Sequence, residues 1–377
     1  MSTPDEPDVY EAPETIIRML FTTWSLLNSL TPELRAQAEW PMDHPGRLDW
    51  DFIPKPDRLG VPLAAMDGHQ RTLAHSLLRA GLSLDGYTQA LQIIAMENVL
   101  REREADFLRV MAGDFRNPDN YYFAFFGRPG FEDTWGWRVL GHHLSLSYTI
   151  VDQRHLTVTP CNLGAQPASC GVLAPLAREE DLGFALLHSL DTAQSATAVI
   201  HTVAPPDYAT RQVPFVGKVE YPDYADLGIP WYQINDEDRE LLKFSKDEPA
   251  GICARDLSTT QQDLLYSLVA QYLKRSPEEL WTKQLDRVQA AGPDGLHFAW
   301  AGGLEKGTPH YYRIQGTHVV IEFDNAIDSG NHIHSVWRDY RNDLGHDLLR
   351  EHYARERRTG HHQLNTRLTS SVPDDDR

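Results

Sequence analysis

A stretch near the C-terminal end, residues 320–347, gathers more metal-binding and proton-transferring side chains than any other window of similar length. It contains two carboxylates at alternate positions, a His-x-His pair, an arginine and a further histidine. In chain order these are Glu322, Asp324, His332, His334, Arg338 and His346. Imidazole nitrogen and carboxylate oxygen are the ligands by which proteins bind zinc and other first-row metals. The stretch therefore predicts a metal site.

Strand periodicity predicts how these groups are arranged. Two runs with the alternating pattern of β-strands flank a loop short enough for a hairpin, and alternate residues of a strand share one face. Glu322 and Asp324 then share a face of the first strand, and His332, His334 and Arg338 share a face of the second. Pairing of the strands would place the carboxylates beside the two histidines, as a two-histidine-plus-carboxylate site requires. The alternative is an exposed hairpin with solvated histidines.

A second candidate is the Gly-His-His sequence at residues 141–143, inside a run (137–151) that is predicted as one long strand. On a continuous strand His142 and His143 point to opposite faces, so at most one of them can join a given metal ion. Some zinc sites combine a His-x-His pair with a third histidine from another strand. We therefore expect either His142 or His143 to be the third ligand.

The order of the elements predicts the fold class. Strand patterns fall in two regions, near 121–159 and 296–338, with helical patterns before and between them. The regular strand–helix alternation of a doubly wound sheet is missing, and no internal repeat is apparent. We predict an α+β fold in which a helical N-terminal part and inserted helices pack on a mainly antiparallel β-sheet or sandwich. One domain should span residues 13–358, between a disordered N-terminus (1–12) and a flexible tail (359–377).

Composition and charge disfavour several classes of function. The formal net charge of −19 argues against a nucleic-acid surface, which needs clustered Lys and Arg. Three cysteines without a CxxC pair argue against a disulfide framework or a Cys-rich zinc site. Walker A, GxGxxG and GxSxG motifs are missing from the sequence. No apolar run is long enough for a membrane span, and the acidic N-terminus lacks signal-peptide features, so a cytoplasmic location is expected.

Several sequence blocks resemble one family, the domain of unknown function 3500. The blocks are LLRAGLSLDGY, FFGRPG, WGWRVLGHHLSLSY, TPCNLGAQP, FAWAGG, HYYRIQG and NHIHSVWRDYRNDLGHDLLREHY. They extend over about residues 65–353, which favours one continuous domain. Both histidine motifs and Arg338 lie within them. The resemblance implies no reaction, because the family name carries none.

The candidate residues suggest roles around one divalent metal ion. Asp324 would be a ligand or would orient one, and Glu322 would be a catalytic carboxylate, a ligand or an orienting group. Arg338 would bind a substrate carboxylate or stabilise developing negative charge. Zinc is the favoured ion, with iron or copper as alternatives, because imidazole binds all three.

These roles predict a metal-dependent enzyme that acts on a small molecule through metal-activated water, by hydrolysis or a lyase step. The second hypothesis is an iron- or copper-dependent oxidoreductase that uses O₂. The third is a non-catalytic protein that binds a small molecule in an aromatic-lined pocket, with the histidines as hydrogen-bond partners. The oligomeric state is not predicted.

Overall fold

The computed structural model describes residues 9–55, 57–103, 116–210, 214–216 and 235–359. Most of the predicted disordered N-terminus and tail therefore lies outside the described residues. Residues 9–12 pack against the rest of the protein. Tyr10 and Ala12 are buried, and Glu11 forms an isolated antiparallel β-bridge with His155. Among the described helices, none is both long and apolar enough to cross a membrane.

Helices and strands follow one another in a mixed order. The helices are α1 (Pro13–Ser29), α2 (Pro32–Ala38), α3 (Gly68–Gly81), α4 (Leu84–Arg103), α5 (Ala177–Ser189), α6 (Thr192–Ala198), α7 (Asp236–Leu242), α8 (Thr259–Leu273), α9 (Glu278–Ala290) and α10 (His346–Thr359). The strands are β1 (Glu39–Trp40), β2 (Val61–Pro62), β3 (Tyr122–Gly127), β4 (Thr134–Gly141), β5 (Leu144–Val151), β6 (His155–Thr157), β7 (Cys161–Ala165), β8 (Val199–His201), β9 (Ile252–Cys253), β10 (Leu296–Gly302), β11 (His310–Gly316), β12 (Val319–Ile327) and β13 (His332–Asp339).

The thirteen strands of the described residues belong to one sheet, in the order β1-β3-β4-β5-β7-β13-β12-β11-β10-β8, with β2 paired to β3, β6 to β5 and β9 to β10. The pairs β1–β3 and β8–β10 are parallel, and the other strand pairs are antiparallel. The predicted α+β class and mainly antiparallel sheet are confirmed. The two strand regions meet where β7 pairs with β13.

The two faces of the sheet are covered differently. Side chains such as Ile321 and Phe323 join the large apolar core formed with the helices. The opposite face, which carries Val336, is covered by irregular segments that contribute Trp50, Phe52 and Tyr208. Irregular segments carry backbone N–H and C=O groups that need hydrogen-bond partners. Polar side chains on the sheet face beneath these segments can form hydrogen bonds with those groups.

The strand order is symmetric about the β7–β13 pair and reveals an internal repeat that the sequence did not. Apart from α7, which lies between β8 and β9, the order helix–helix–strand–strand–helix–helix–strands occurs twice, from α1 to β7 and from α5 to β13. Gln70 Nε2 donates to the carbonyl of Ser29 at 2.7 Å, and Gln261 Nε2 donates to that of Ser189 at the same distance. Residues identical at constant spacing in the two sets of strands are Phe123/Phe298, Ala124/Ala299, Gly127/Gly302, Arg138/Arg313, Gly141/Gly316 and His143/His318.

Candidate metal centre

The predicted hairpin of β12 and β13 is present. Asp324 pairs with His334 across the two strands, and Ile327 pairs with His332 after a register shift. Asp324 is fully buried and His334 nearly so, whereas the side chain of His332 remains 14% exposed. The structure thus brings a carboxylate beside the His-x-His pair and excludes the alternative of a solvated hairpin face.

The prediction of one long strand over residues 137–151 is wrong. Gly141 pairs with Leu144, so His142 and His143 form the turn between β4 and β5. His143 has a φ of +62°, in the left-handed region that non-glycine residues rarely adopt. Side chains alternate in direction only along a continuing strand, and here the chain reverses. Both rings consequently lie on one side, stacked with their centroids 3.6 Å apart.

Backbone contacts hold the His143 turn on two sides. The His143 N–H donates to the carbonyl of Phe52 at 3.0 Å, and its own carbonyl accepts from the Gly164 N–H at 2.7 Å. A Cβ at position 164 would lie 2.9 Å from Cδ2 of the His143 ring, so only glycine leaves room for the imidazole there. Strand β7 therefore sets the position of the ring.

His143 is the turn histidine that faces the His-x-His pair. Its Nε2 lies 2.9 Å from Nε2 of His332, and its ring centroid lies 5.4 Å from that of His334. The rings of His332 and His334 are 4.8 Å apart. One ring nitrogen from each of the three residues lies within 4.8 Å of the others. Two ligands bound at about 2.1 Å to one ion are roughly 3–3.5 Å apart, so this three-histidine cluster needs little movement to hold a metal.

An aspartate lies beside the Nδ1 atom of each of the two histidines of β13. Oδ2 of Asp324 is 3.4 Å from Nδ1 of His334, and Oδ2 of Asp328 is 3.7 Å from Nδ1 of His332. Metal-bound histidines commonly direct the other ring nitrogen toward a carboxylate, which orients the ring and raises its basicity. Nε2 is then the atom that each histidine presents to an ion. Asp324 and His334 also form a second possible ligand set with Asp207.

Behind His143 lies a further polar layer, made by Glu97, His142 and Arg116. Oε1 of Glu97 is 2.5 Å from Nδ1 of His142, and one guanidinium nitrogen of Arg116 lies 2.9 and 3.0 Å from the two ring nitrogens. Glu97, His142 and His143 form a third possible ligand set. The positive charge of Arg116 opposes a cation there, so the three-histidine cluster is the more favourable of these sets for a cation.

Burial keeps His142, His143 and His332 neutral. Burial lowers the pKa of His142 well below its usual value, and the nearby Arg116 lowers it further. Burial, with the neighbouring His142 and His332, lowers the pKa of His143 in the same way. Burial lowers the pKa of His332 to about 4. Neutral imidazole is the form that binds metal ions, so at neutral pH these rings are in the form that ligation requires.

We expect the metal-free protein to lose stability as the pH falls from 6.5 to about 4. In this window the unfolded chain protonates position 332, with an ordinary pKa of 6.5, while the folded chain keeps His332 neutral. Stability present above pH 6.5 is therefore lost on acidification, at about 1.4 kcal/mol per pH unit for this residue. Urea unfolding across this range measures the slope. The His332→Gln protein should show a shallower slope; an unchanged slope would contradict the expectation.

Glu322 and Arg338 are not in the cluster. The Glu322 carboxylate accepts hydrogen bonds from the backbone N–H groups of Ala209 and Thr210, the Thr210 hydroxyl and the Tyr311 hydroxyl. Arg338 is fully buried and donates from Nε to Asp343 at 2.8 Å. Both residues therefore hold the segment around Ala209 and Thr210 in place over the polar face of the sheet. Their predicted catalytic roles stay predictions.

From the sequence, Glu97 is expected to be solvated or salt-bridged and not part of a site, and Arg116, Asp207 and Asp328 are not selected. Glu97 left a signal, because it lies on the apolar stripe of α4, where Ile93, Ile94 and Leu100 are buried. A carboxylate on the buried stripe of an amphipathic helix needs a partner, and here the partner is His142. For the others we find no comparable signal in the sequence.

Comparison with known proteins gives one match. A family profile described as "Protein of unknown function (DUF3500)" matches residues 13–346. The match includes all three histidines of the cluster and confirms the resemblance seen in the sequence blocks. No curated protein and no solved structure matched the chain.

Proposed function

We propose that this chain, which belongs to the DUF3500 family of proteins of unknown function, is a metal-dependent enzyme acting on a small molecule at the three-histidine cluster. The observation that carries the proposal is the convergence of His143, His332 and His334 from two distant parts of the chain, with ring nitrogens within 4.8 Å. Buried polar groups are costly unless partnered. A cation shared by three neutral imidazoles satisfies them together.

The internal repeat supports a functional reason for these histidines. The turn that corresponds to His142–His143 is Thr317–His318. The carbonyl of His143 accepts from the Gly164 N–H, and that of His318 accepts from the Tyr340 N–H. At the same spacing of 175 residues, the stretch that corresponds to His332–His334 is 157–159, which contains Thr, Val and Thr. The same junction therefore folds without a His-x-His pair. Requirements of the fold do not account for His332 and His334.

Three histidine ligands favour zinc chemistry. Catalytic zinc sites have three protein ligands and keep a position for water, whose pKa the ion lowers to about 7. Hydrolysis or a lyase step by metal-activated water is therefore the reaction class that we propose. Iron is the second candidate, because the adjoining Asp207–Asp324–His334 set mixes carboxylate and imidazole as non-haem iron sites do. The choice of ion decides between hydrolytic and O₂ chemistry.

Elemental analysis of protein purified without a histidine tag tests the proposal. We expect about one zinc, iron or copper ion per chain, retained through gel filtration. A metal content below about 0.1 ion per chain, with no binding on titration with Zn²⁺ or Fe²⁺, would contradict the proposal. The hypothesis of a non-catalytic small-molecule-binding protein would then remain. The same sample identifies the ion.

We expect Asp324→Asn to weaken metal affinity by about 10–100-fold, because Asp324 orients His334 through Nδ1. Competition with a chromophoric chelator measures the affinity. Asp294→Asn is the matched control, since that carboxylate is exposed and pairs with Arg255 on the surface. Equal affinities of the two variants would show that Asp324 does not act on the ion.

A further inference from the structure

An open groove of about 960 Å³ lies between α1, the junction of α3 with α4 and the junction of α8 with α9. The two junctions correspond to each other in the internal repeat. They are in direct contact: the Ser83 N–H donates to the carbonyl of Arg275 at 3.0 Å, and a Cβ on Gly86 would collide with the same oxygen. Ligand sites often form between structural units of this kind. The residues that line the groove do not include the three cluster histidines, so it is a candidate for a second site.

The apolar side chains of the groove are unusually exposed. Six large apolar residues in the described part of the chain are more than half exposed, and three of them line the groove: Ile17 at 53%, Phe21 at 61% and Leu84 at 66%. Single exposed apolar residues are normal on a protein surface, whereas a group of them marks a place where another molecule binds. Trp281 adds a partly buried ring to the same lining.

Three cations line the same groove, Arg18, Arg79 and Lys274. All three are exposed, and none of them forms an ion pair with a carboxylate of the described residues. Arg18 donates to the hydroxyl of Thr15 and Arg79 to the carbonyl of Leu82, both at 2.7 Å, and the ammonium of Lys274 lies 5.3 Å from the centroid of the Trp281 ring. Because a guanidinium has five N–H donors, each arginine has further donors for an anion.

The charge of the groove is opposite in sign to that of the chain. Its lining contains two carboxylates, Asp85 and Glu278, against the three cations, which leaves one positive charge in a chain of formal net charge −19. One positive charge matches the single negative charge of a carboxylate. The lining has fifteen residues, fewer than the roughly 20–30 that each side of a stable protein interface uses. The groove therefore has the size of a small-molecule site.

We infer that the groove binds an amphipathic carboxylic acid, with the hydrocarbon tail on Phe21 and Leu84 and the carboxylate among the three cations. The inference does not depend on the proposed metal function, because the two sites share no residue. Tail and head contribute separately. Burial of one CH₂ group raises the affinity by about fourfold. Charge-assisted hydrogen bonds distinguish the carboxylate from a neutral head group.

Calorimetric titration at low salt with octanoate, octan-1-ol and butyrate tests the inference. We expect one octanoate to bind per chain, about tenfold more tightly than octan-1-ol, because only the carboxylate engages the cations. Butyrate lacks four CH₂ groups and should bind at least about tenfold more weakly than octanoate. Removal of metal from the protein with a chelator should leave these affinities unchanged, which separates the groove from any binding of the acid to the metal ion.

Variants of exposed side chains locate the site. Arg18→Gln/Lys274→Gln should lose the preference for octanoate over octan-1-ol, and Phe21→Ser/Leu84→Ser should weaken the binding of both. Two matched controls lie outside the groove. Arg255→Gln removes an exposed cation and Val172→Ser removes an apolar side chain that is 97% exposed. Both controls should bind like the parent protein.

Three results would overturn the inference. One is octanoate that binds no more tightly than octan-1-ol or butyrate. Another is a pair of folded groove variants that bind octanoate as tightly as the parent protein does. The third is a parent protein that elutes as a dimer in gel filtration and becomes a monomer in Phe21→Ser/Leu84→Ser, since a second copy of the chain would then cover the groove. A protein without metal leaves this test unaffected and contradicts only the proposed function.

Discussion

The His332→Ala/His334→Ala protein should fold and contain almost no metal. Both residues come from one strand and supply two of the three ring nitrogens of the cluster. With a single histidine remaining, the affinity for Zn²⁺ falls below what purification retains, because tight zinc sites use three or four protein ligands. Elemental analysis of tag-free protein gives the metal content, and circular dichroism shows whether the chain is folded.

His346→Ala is the control for this double variant. His346 lies in the same histidine-rich stretch of sequence, but its ring packs on Phe215 at 4.3 Å and its side chain is 44% exposed. We expect its metal content to equal that of the parent protein. A folded double variant with full metal content would contradict the proposal that the three histidines bind the metal ion. Asp207→Asn would then be the next variant, because Asp207 belongs to the neighbouring ligand set.

The Arg338→Met protein should be less stable than the parent by about 3–5 kcal/mol. The substitution leaves the carboxylate of Asp343 buried without its guanidinium partner, and burial already raises the pKa of Asp343 to about 6. It also removes donors from the carbonyls of Thr210 and Pro214 and the cation that lies 4.8 Å from the Trp50 ring. Urea or thermal unfolding measures the difference.

Arg341→Met is the matched control. Arg341 is largely exposed and pairs with Asp347 at 3.1 Å, so its loss should cost less than about 1 kcal/mol. The comparison also tests the role predicted for Arg338 from sequence. A substrate-binding Arg338 would predict a variant of normal stability with weaker substrate affinity. Equal stability of the Arg338→Met and Arg341→Met proteins would contradict the anchoring role.

The three-histidine cluster lies at the junction of the two structural repeats. His143 comes from the turn of the first repeat, and His332 and His334 come from the last strand of the second. The two repeats join through β7 and β13, so the cluster lies across their junction. Sites formed between structural units need both units in place. Metal binding should therefore stabilise the whole sheet by mass action, since the unfolded chain has no preformed site.

Patterns among neighbouring residues were enough to predict the local features of this protein. Alternation along the chain predicted the β12–β13 hairpin, the face shared by His332 and His334, and Asp324 beside them. It also predicted an α+β fold with a mainly antiparallel sheet. These features depend on residues close in sequence, where a period of two residues per strand fixes which side chains share a face.

Contacts between side chains that are distant in sequence depend on the folded arrangement of the strands. A two-residue turn at His142–His143, where alternation no longer applies, gave His143 to the cluster and stacked His142 behind it. Long-range pairing of β7 with β13 brought the turn to the His-x-His pair. Packing of the irregular segments on the sheet gave Glu322 and Arg338 hydrogen-bond partners within the protein, and the fold brought Arg116 to His142. No local pattern encodes these contacts, because they arise from strand order and burial across the whole chain.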